Sequence, residues 1–163
     1  LLKDNLADVA FITIPEDVTH LSTIKKEFIC HLVWNDPMSF ICGQGHPLSK
    51  LKRVIPKDLS EHNAILPSQS TLTYRVVESI FKDNQLKLTA NIPTNYLETM
   101  KMMASVGMGW SVLPNTMIDN ELYVLQLEYK PVSRKLGAVS YQKKSLSNAA
   151  KAFINVAESI WGQ

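Results

Sequence analysis

The sequence lacks the features of a disulfide-rich, membrane-spanning or nucleic-acid-binding chain. Its two cysteines, Cys30 and Cys42, form no CxxC pair and lie in apolar, strand-like stretches, where buried thiols are expected rather than reactive thiolates. No apolar run approaches the roughly 18 residues of a membrane span. No basic run is longer than two residues, and 17 basic against 15 acidic residues leave a net charge of +2. Composition therefore gives no reason to expect that this chain itself binds DNA.

Motifs for catalysis and metal binding are also missing. The four histidines occur singly, without HExxH or another metal-ligand spacing; they are His20, His31, His46 and His62. The stretch GMGWS at residues 107–111 is not the GxSxG of a nucleophile elbow. It is not GxGxxG either, because Val112 takes the place of the third glycine. The sequence therefore predicts a protein that is not an enzyme, with no catalytic residue, no metal and no cofactor.

What is present indicates an ordinary globular chain. Hydrophobic residues make up 45% and charged residues 20%, which is the composition of a globular protein. A length of 163 residues is enough for one domain or two small lobes. The chain opens at Leu1 with neither an initiator methionine nor a signal-peptide pattern. We therefore expect it to be part of a longer protein.

Apolar runs that suit strands alternate with helical stripes along the chain. The predicted strands are 8–14, 24–34, 38–42, 64–66, 86–92, 110–113, 122–127 and 136–142. The predicted helices are a turn near 54–59, a helix over 73–84, a third after Asn95, and a last one capped by Ser147. The buried stripe predicted for helix 73–84 is Val77, Ile80 and Phe81. The stripe predicted for the last helix comprises Ala150, Phe153, Ile154, Ala157, Ile160 and Trp161. This alternation predicts a parallel-rich α/β fold. Asp36-Pro37 predicts a break between two strands, because proline fixes φ and has no N–H.

The stretch Asn91–Pro114 is the most informative. Asn95 is a predicted N-cap with Glu98 three residues on, Gly107 suits a left-handed helix end, and 110–113 form a buried strand. The apolar stripe between them comprises Leu97, Met100, Met103, Ala104 and Val106. With the loop at Pro114, this is one helix–strand unit of an α/β sheet.

Several segments, in order, resemble the effector-binding domain of LysR-type transcriptional regulators. "ASVGMGWSVLP" is similar to that family's xAxGxGIxxLP pattern, and "LADVAFI" to its GxxD strand. "LVWNDPMSFICGQGHPLSK" resembles its first crossover, "IPKDLSEHNAIL" its DL helix, "RVVESIFKDNQL" loosely its next helix, and "SLSNAAKAFI" its closing LSPAAxAFI helix. Asn148 stands where proline is commoner. The resemblance covers essentially the whole chain.

The resemblance implies a two-lobed, periplasmic-binding-protein-like (type 2) fold in which each lobe is a Rossmann-like α/β sandwich. Proline-marked crossings divide the chain, so we predict lobe one at residues 1–36 and 132–163 and lobe two at 37–131. The family's winged helix-turn-helix and the first strand and most of the first helix of lobe one have no counterpart in this sequence. On those grounds we expect these residues alone to be marginally stable or to self-associate.

The implied function is effector sensing in a bacterial cytoplasmic transcription regulator. A small molecule, with small carboxylates favoured, would bind in the interlobe cleft, and the domains would form dimers or tetramers in which helix 73–84 and strand 86–92 meet lobe one of a partner. DNA would be bound only through the helix-turn-helix domain. A solute-binding protein or an enzyme domain on the same fold is the alternative, because fold does not fix function.

For the site, the resemblance points to three places. They are the loop Pro67-Ser68-Gln69-Ser70, the helix start at Thr94-Asn95, and the end of the first strand at Thr13. Ligands of α/β sheets bind at the carboxyl ends of strands, where helix N-termini present free N–H groups. Asn95 and Ser68 could instead be helix caps, which is the commoner role of such residues at helix starts. Arg75 could pair with an effector carboxylate or be a solvated or interface charge.

Overall fold

The computed structural model describes residues 1–14, 26–91 and 93–161. The strands are β1 (Ala10–Ile14), β2 (Phe28–Gly43), β3 (Ala64–Ile65), β4 (Trp110–Pro114), β5 (Leu122–Val124) and β6 (Val132–Tyr141). The α-helices are α1 (Pro56–Ser60), α2 (Leu72–Asp83), α3 (Leu97–Ser105) and α4 (Asn148–Trp161), and short 3-10 turns occupy Pro47–Lys50 and Asn115–Met117. Among the helices of these ranges, none is long and apolar enough to cross a membrane. The α/β class predicted from the sequence is confirmed.

The chain forms two compact units. The outer unit consists of Leu1–Asp36 and Arg134–Gln163, and the inner unit of Pro37–Ser133. β2 passes from the outer to the inner unit between Asp36 and Pro37, and β6 returns between Ser133 and Arg134. Because the inner unit is one continuous stretch, the chain crosses between the units twice.

In the outer unit, β6 lies between β1 and β2. β1 pairs antiparallel with β6, from Ala10 opposite Val139 to Ile14 opposite Lys135. A Cβ added at Gly137 would lie 2.7 Å from the end of the Ile14 side chain and 3.2 Å from the Leu32 carbonyl oxygen, so Ile14 would have to shift to admit it. The buried centre of this unit is formed by Leu32 on β2, Ala138 on β6 and Ala157 on α4, with Val9 and Trp34 packed against it.

The cap predicted for the last helix is confirmed. The Ser147 hydroxyl accepts the Ala150 N–H at 3.2 Å, which satisfies a donor that the first turn of α4 leaves without an intrahelical partner. Asp8 supports this end by accepting hydrogen bonds from Lys144 Nζ at 2.7 Å and Ser147 Oγ at 2.8 Å. These two bonds lower the pKa of the Asp8 carboxyl. The loop before α4 is thereby tied to the segment before β1.

The apolar stripe predicted for α4 is buried along its middle and exposed at its flank. Ala150, Ile154 and Ala157 are buried, whereas Phe153 and Ile160 are 48% and 60% exposed. The Phe153 ring meets Phe11 of β1 edge-on, with centroids 5.8 Å apart. Helical spacing predicts which side chains share the apolar face of a helix, but it does not predict how much of that face the rest of the protein covers.

The inner unit is organised around Trp110. β4 pairs antiparallel with β2 and parallel with β3, and β5 pairs antiparallel with β2. Trp110 is fully buried, its ring stacks on Phe81 of α2, and its indole N–H donates to the Leu59 carbonyl at 2.9 Å. Phe40 of β2 also packs against the Trp110 ring, with ring centroids 5.8 Å apart. The buried stripe predicted for α2 is confirmed, since Val77, Ile80 and Phe81 all lie in this core.

The helix–strand unit 97–114 matches the prediction at its end but not at its beginning. Gly107 adopts φ 83°, the left-handed conformation predicted for it, and β4 is buried throughout. Asn95 is not the N-cap, because α3 begins one residue later with Tyr96 in that position and no side-chain cap. Of the predicted stripe, Met100, Met103 and Ala104 are buried, while Val106 is 69% exposed.

Two predictions about the strands are wrong. β2 runs without a break through Asp36 and Pro37. The ladder to β4 starts at Met38, so it requires no N–H from Pro37. The sheet is also not parallel-rich among the strand pairs described above, of which β3–β4 is the parallel one. The chain enters the inner unit along β2, and no helix of that unit precedes this strand. The alternation of strands and helices therefore does not predict whether β2 runs parallel or antiparallel to its neighbours.

Two further predictions need correction. Residues 86–91 form no strand, although the Thr89 carbonyl accepts the Ala64 N–H at 2.8 Å; Ile92 lies outside the described residues. Cys30 is exposed rather than buried, and its thiol donates to the Leu32 carbonyl at 3.6 Å. Cys42 is buried as expected, and desolvation raises the pKa of its thiol to about 11, so it is unreactive at neutral pH.

Candidate functional site

Two polar segments of the inner unit meet where β3 ends. The segment 67–71 joins β3 to α2, and the segment 93–96 leads into α3. They are connected by a backbone hydrogen bond in which the Thr94 N–H donates to the Leu66 carbonyl at 3.3 Å. β3 runs parallel to β4, so this is the carboxyl end of a parallel strand pair, the usual place for ligands in α/β sheets.

Asn95 joins the two segments. Its side-chain oxygen accepts the Ser68 N–H at 2.9 Å, across 27 residues of sequence. This contact explains why the capping prediction failed: the side chain that suits an N-cap is engaged with the neighbouring loop instead. Asn95 is exposed, and its amide nitrogen faces no protein acceptor among the hydrogen bonds of the described residues. It can therefore donate to a ligand without losing its structural contact.

The serine hydroxyls form a small cluster on the same loop. Ser68 Oγ and Ser70 Oγ lie 3.0 Å apart, and each is on a residue that is at least partly exposed. Arg75 donates to the Ser70 carbonyl at 3.0 Å, and Thr71 Oγ1 donates to the Ser68 carbonyl at 2.8 Å. Arg75 thus holds the loop backbone, a role that neither sequence interpretation anticipated. Its guanidinium is exposed and retains further donors.

Two helices start beside this cluster. α2 is capped by Thr71, whose hydroxyl accepts the Tyr74 N–H at 3.2 Å. α3 lacks a side-chain cap, and Thr94 Oγ1 accepts the Tyr96 N–H at 3.3 Å just before it. The segments 67–71 and 93–96 themselves contain no ionisable side chain except the phenol of Tyr96. A ligand anion would therefore meet N–H groups and hydroxyls with no carboxylate in either segment to repel it.

The other predicted positions take no part in these hydrogen bonds between the Ser68, Ser70, Thr94 and Asn95 segments. Pro67 is buried and shapes the loop rather than offering a donor, and Gln69 is exposed with its amide 3.5 Å from the Tyr74 hydroxyl. Thr13 belongs to the outer unit, where it is exposed on β1 opposite Leu136. The structure therefore brings together Ser68, Ser70, Thr94 and Asn95 within one unit.

Sequence spacing missed one contact between titratable groups. His46 and His62 occur singly in the sequence, but their rings meet edge-on with centroids 4.8 Å apart. His46 is buried, its Nδ1 accepts the Leu48 N–H at 3.2 Å, and desolvation together with His62 lowers its pKa. Over the described ranges there is no cluster of three or more His, Cys, Asp or Glu that could hold a metal ion.

Residues 1–161 match the LysR substrate binding domain family, and the chain belongs to that family. Among curated proteins it is similar to the HTH-type transcriptional activator CmpR of Synechocystis sp. strain PCC 6803. The two are 26% identical over 159 residues, which is 94% of this chain and 50% of that protein. The chain thus spans about half the length of this relative.

Solved structures share the fold. The regulatory domain of Synechocystis PCC6803 CcmR, in complex with 2-PG, has a TM-score of 0.76 at 19% identity and covers 98% of this chain and 76% of that one. The effector binding domain of QuiR, in complex with shikimate, has a TM-score of 0.77 at 18% identity. The match covers 99% of this chain and 75% of the QuiR chain. The two-lobed, periplasmic-binding-protein-like fold implied by the sequence is confirmed.

Proposed function

We propose that this chain is the effector-sensing domain of a bacterial LysR-type transcriptional regulator and binds a small organic acid or a similar metabolite. The observation that carries the proposal is the Ser68–Ser70–Asn95 cluster. It lies at the carboxyl end of β3, between two helix N-termini, with an amide and two hydroxyls accessible. Thr13, on the outer unit, stays a prediction from the sequence, as do the contributions of Pro67 and Gln69.

Magnitudes favour a ligand with several polar groups. One helix N-terminus stabilises an exposed anion by only about 0.3–1 kcal/mol. Micromolar affinity requires about 8 kcal/mol, so hydrogen bonds from the serines and Asn95, together with burial of the ligand, must supply most of it. A small carboxylate with hydroxyl groups satisfies both requirements, because its charge meets the N–H groups and its hydroxyls meet the amide and serines. The ligands named for CcmR and QuiR support an acid as the class to test first.

The parts of the proposal that concern the whole protein rest on its relatives. CmpR is an HTH-type activator, which supports DNA binding through a helix-turn-helix domain and a cytoplasmic protein that regulates transcription. We propose that residues 1–36 and 132–163 act as one lobe and 37–131 as the other. We also propose dimers or tetramers in which α2 and the segment 86–92 contact a partner's outer unit. The alternative, a solute-binding protein or enzyme on this fold, gains no support from the relatives' names.

A thermal-shift screen of the full-length protein against small organic acids and amino-acid metabolites tests this function. We expect at least one acid to raise Tm in a concentration-dependent way, because a ligand at 100 times its Kd stabilises the folded state by about 2.7 kcal/mol. The same compound should change expression from a promoter that the protein controls. If no compound in the library stabilises the protein, the proposal of a small-molecule effector fails, and a ligand-independent dimerisation domain would replace it.

A further inference from the structure

The two crossing strands are cross-linked by an ion pair at the point where they leave the outer unit. Asp36 is the last residue of the outer unit on β2, and Arg134 is its first residue on β6. Arg134 Nε donates to Asp36 Oδ2 at 2.6 Å, although the two residues are 98 positions apart in sequence. Each member of the pair therefore stands directly beside one of the two chain crossings.

This ion pair differs from exposed pairs in the same chain. The Asp36 and Arg134 side chains are 9% and 20% exposed, whereas Arg53 and Glu128, at 3.0 Å, are 79% and 48% exposed. An exposed pair is screened by water and restrains little. In a buried pair, separating the charges leaves each without a partner in a poorly hydrated place, so the pair resists movement of the strands that carry it.

The backbone at this place gives the ion pair a specific task. Pro37 follows Asp36 within the continuous strand β2, and it has no N–H with which to contribute to a strand ladder. On the other crossing, Pro131 immediately precedes β6. Each crossing thus has a proline close to it, and the Asp36–Arg134 contact joins β2 and β6 through side chains near these prolines.

We propose that Asp36 and Arg134 form a clamp at the crossing, which limits how far the two units rearrange. Both are positioning residues: neither is part of the Ser68–Ser70–Asn95 cluster. The clamp would act through the direction in which β2 and β6 leave the outer unit. Neutralising either partner would widen the range of arrangements that the two units adopt, with or without ligand.

The test measures distances between spin labels, one on each unit, in the full-length protein. Labels are placed at exposed lysines, as Lys57→Cys on α1 and Lys151→Cys on α4, in a Cys30→Ser background with any exposed cysteine beyond these 163 residues also replaced. Labelled subunits are diluted with unlabelled ones, so that distances within one subunit dominate. Asp36→Asn and Arg134→Gln are each expected to broaden the distance distribution or shift its mean. The double variant should change the distance distribution no more than either single variant does, because all three lose the same interaction.

Two variants control the interpretation. Arg53→Gln removes the exposed pair with Glu128 and should leave the distribution as in the wild type. Arg134→Lys keeps the charge and should stay closer to the wild type than Arg134→Gln. If the single variants fold poorly, Arg134→Lys and the double variant, which leaves no unpaired charge, carry the comparison. Distributions that match the wild type in Asp36→Asn and Arg134→Gln, even with a lowered Tm, would overturn the proposal. No effector is needed, so this outcome is independent of the proposed function.

Discussion

Replacing Trp110 by alanine is expected to lower the free energy of unfolding of the inner unit by about 3–5 kcal/mol. Its side chain is fully buried and packs against Phe81, at 5.9 Å between ring centroids, and against Phe40. Truncation would leave a cavity between β2 and α2 and would remove the indole donor from the Leu59 carbonyl. Such a loss is a large part of the roughly 5–15 kcal/mol that typically stabilises a domain. Urea unfolding followed by circular dichroism measures it.

Tyr96→Ala is the matched control for the loss of an aromatic ring. Tyr96 is 77% exposed and stands at the N-cap position of α3, where its side chain makes no cap, so its removal should change stability within about 0.5 kcal/mol. Trp110→Phe should fall between the two, because it retains most of the packing but not the hydrogen bond. Equal destabilisation by Trp110→Ala and Tyr96→Ala would contradict the position of Trp110 at the centre of the core.

Gly43→Ala should destabilise the protein by about 1–3 kcal/mol or more, since added volume in a tight contact forces the backbone to move. Gly43 ends β2 directly beneath the last turn of α3. A Cβ there would lie 2.5 Å from the Ser105 carbonyl oxygen and 2.7 Å from that of Ala104. Both neighbours are backbone atoms, so no side-chain rotation can relieve the overlap. The shift in the midpoint of urea unfolding measures the effect.

Gly45→Ala is the control, two residues along the chain. An added Cβ at Gly45 meets no atom within 4 Å. The substitution should be neutral or slightly stabilising, because alanine restricts the unfolded chain more than glycine does. If both substitutions lowered stability by a similar amount, the cause would be a general sensitivity of this part of the chain. The close approach of β2 and α3 at Gly43 would then not explain the result.

Features that depend on near neighbours in sequence were predictable here. The stripe of Val77, Ile80 and Phe81 follows helical spacing, and all three are buried. Gly107 takes the left-handed φ of 83° that is common in the residue just after a helix and that glycine adopts most easily. The family and its fold followed from several short segments in the right order, although no single segment was sufficient.

The failures share a physical cause: a distant partner decides the outcome. Asn95 is a good cap by type, but a loop 27 residues away takes its side-chain oxygen. Pro37 should interrupt a strand, yet β2 continues because its ladder to β4 begins only at Met38. The Asp36–Arg134 pair and the His46–His62 contact have no sequence signal at all. Of the candidate site, the loops were predictable from strand ends, whereas the bond that joins them was not.

The most direct test of the account is the affinity of the best acid from the screen, measured by calorimetry on the full-length protein and its variants. We predict that Ser68→Ala and Asn95→Ala each weaken binding about tenfold or more, since one lost hydrogen bond to a charged group is worth about 1.5–3 kcal/mol. Ser79→Ala should bind as the wild type does, because that exposed hydroxyl donates to Val76 within α2, away from the loops. Unchanged affinity in both loop variants would contradict a site at Ser68 and Asn95.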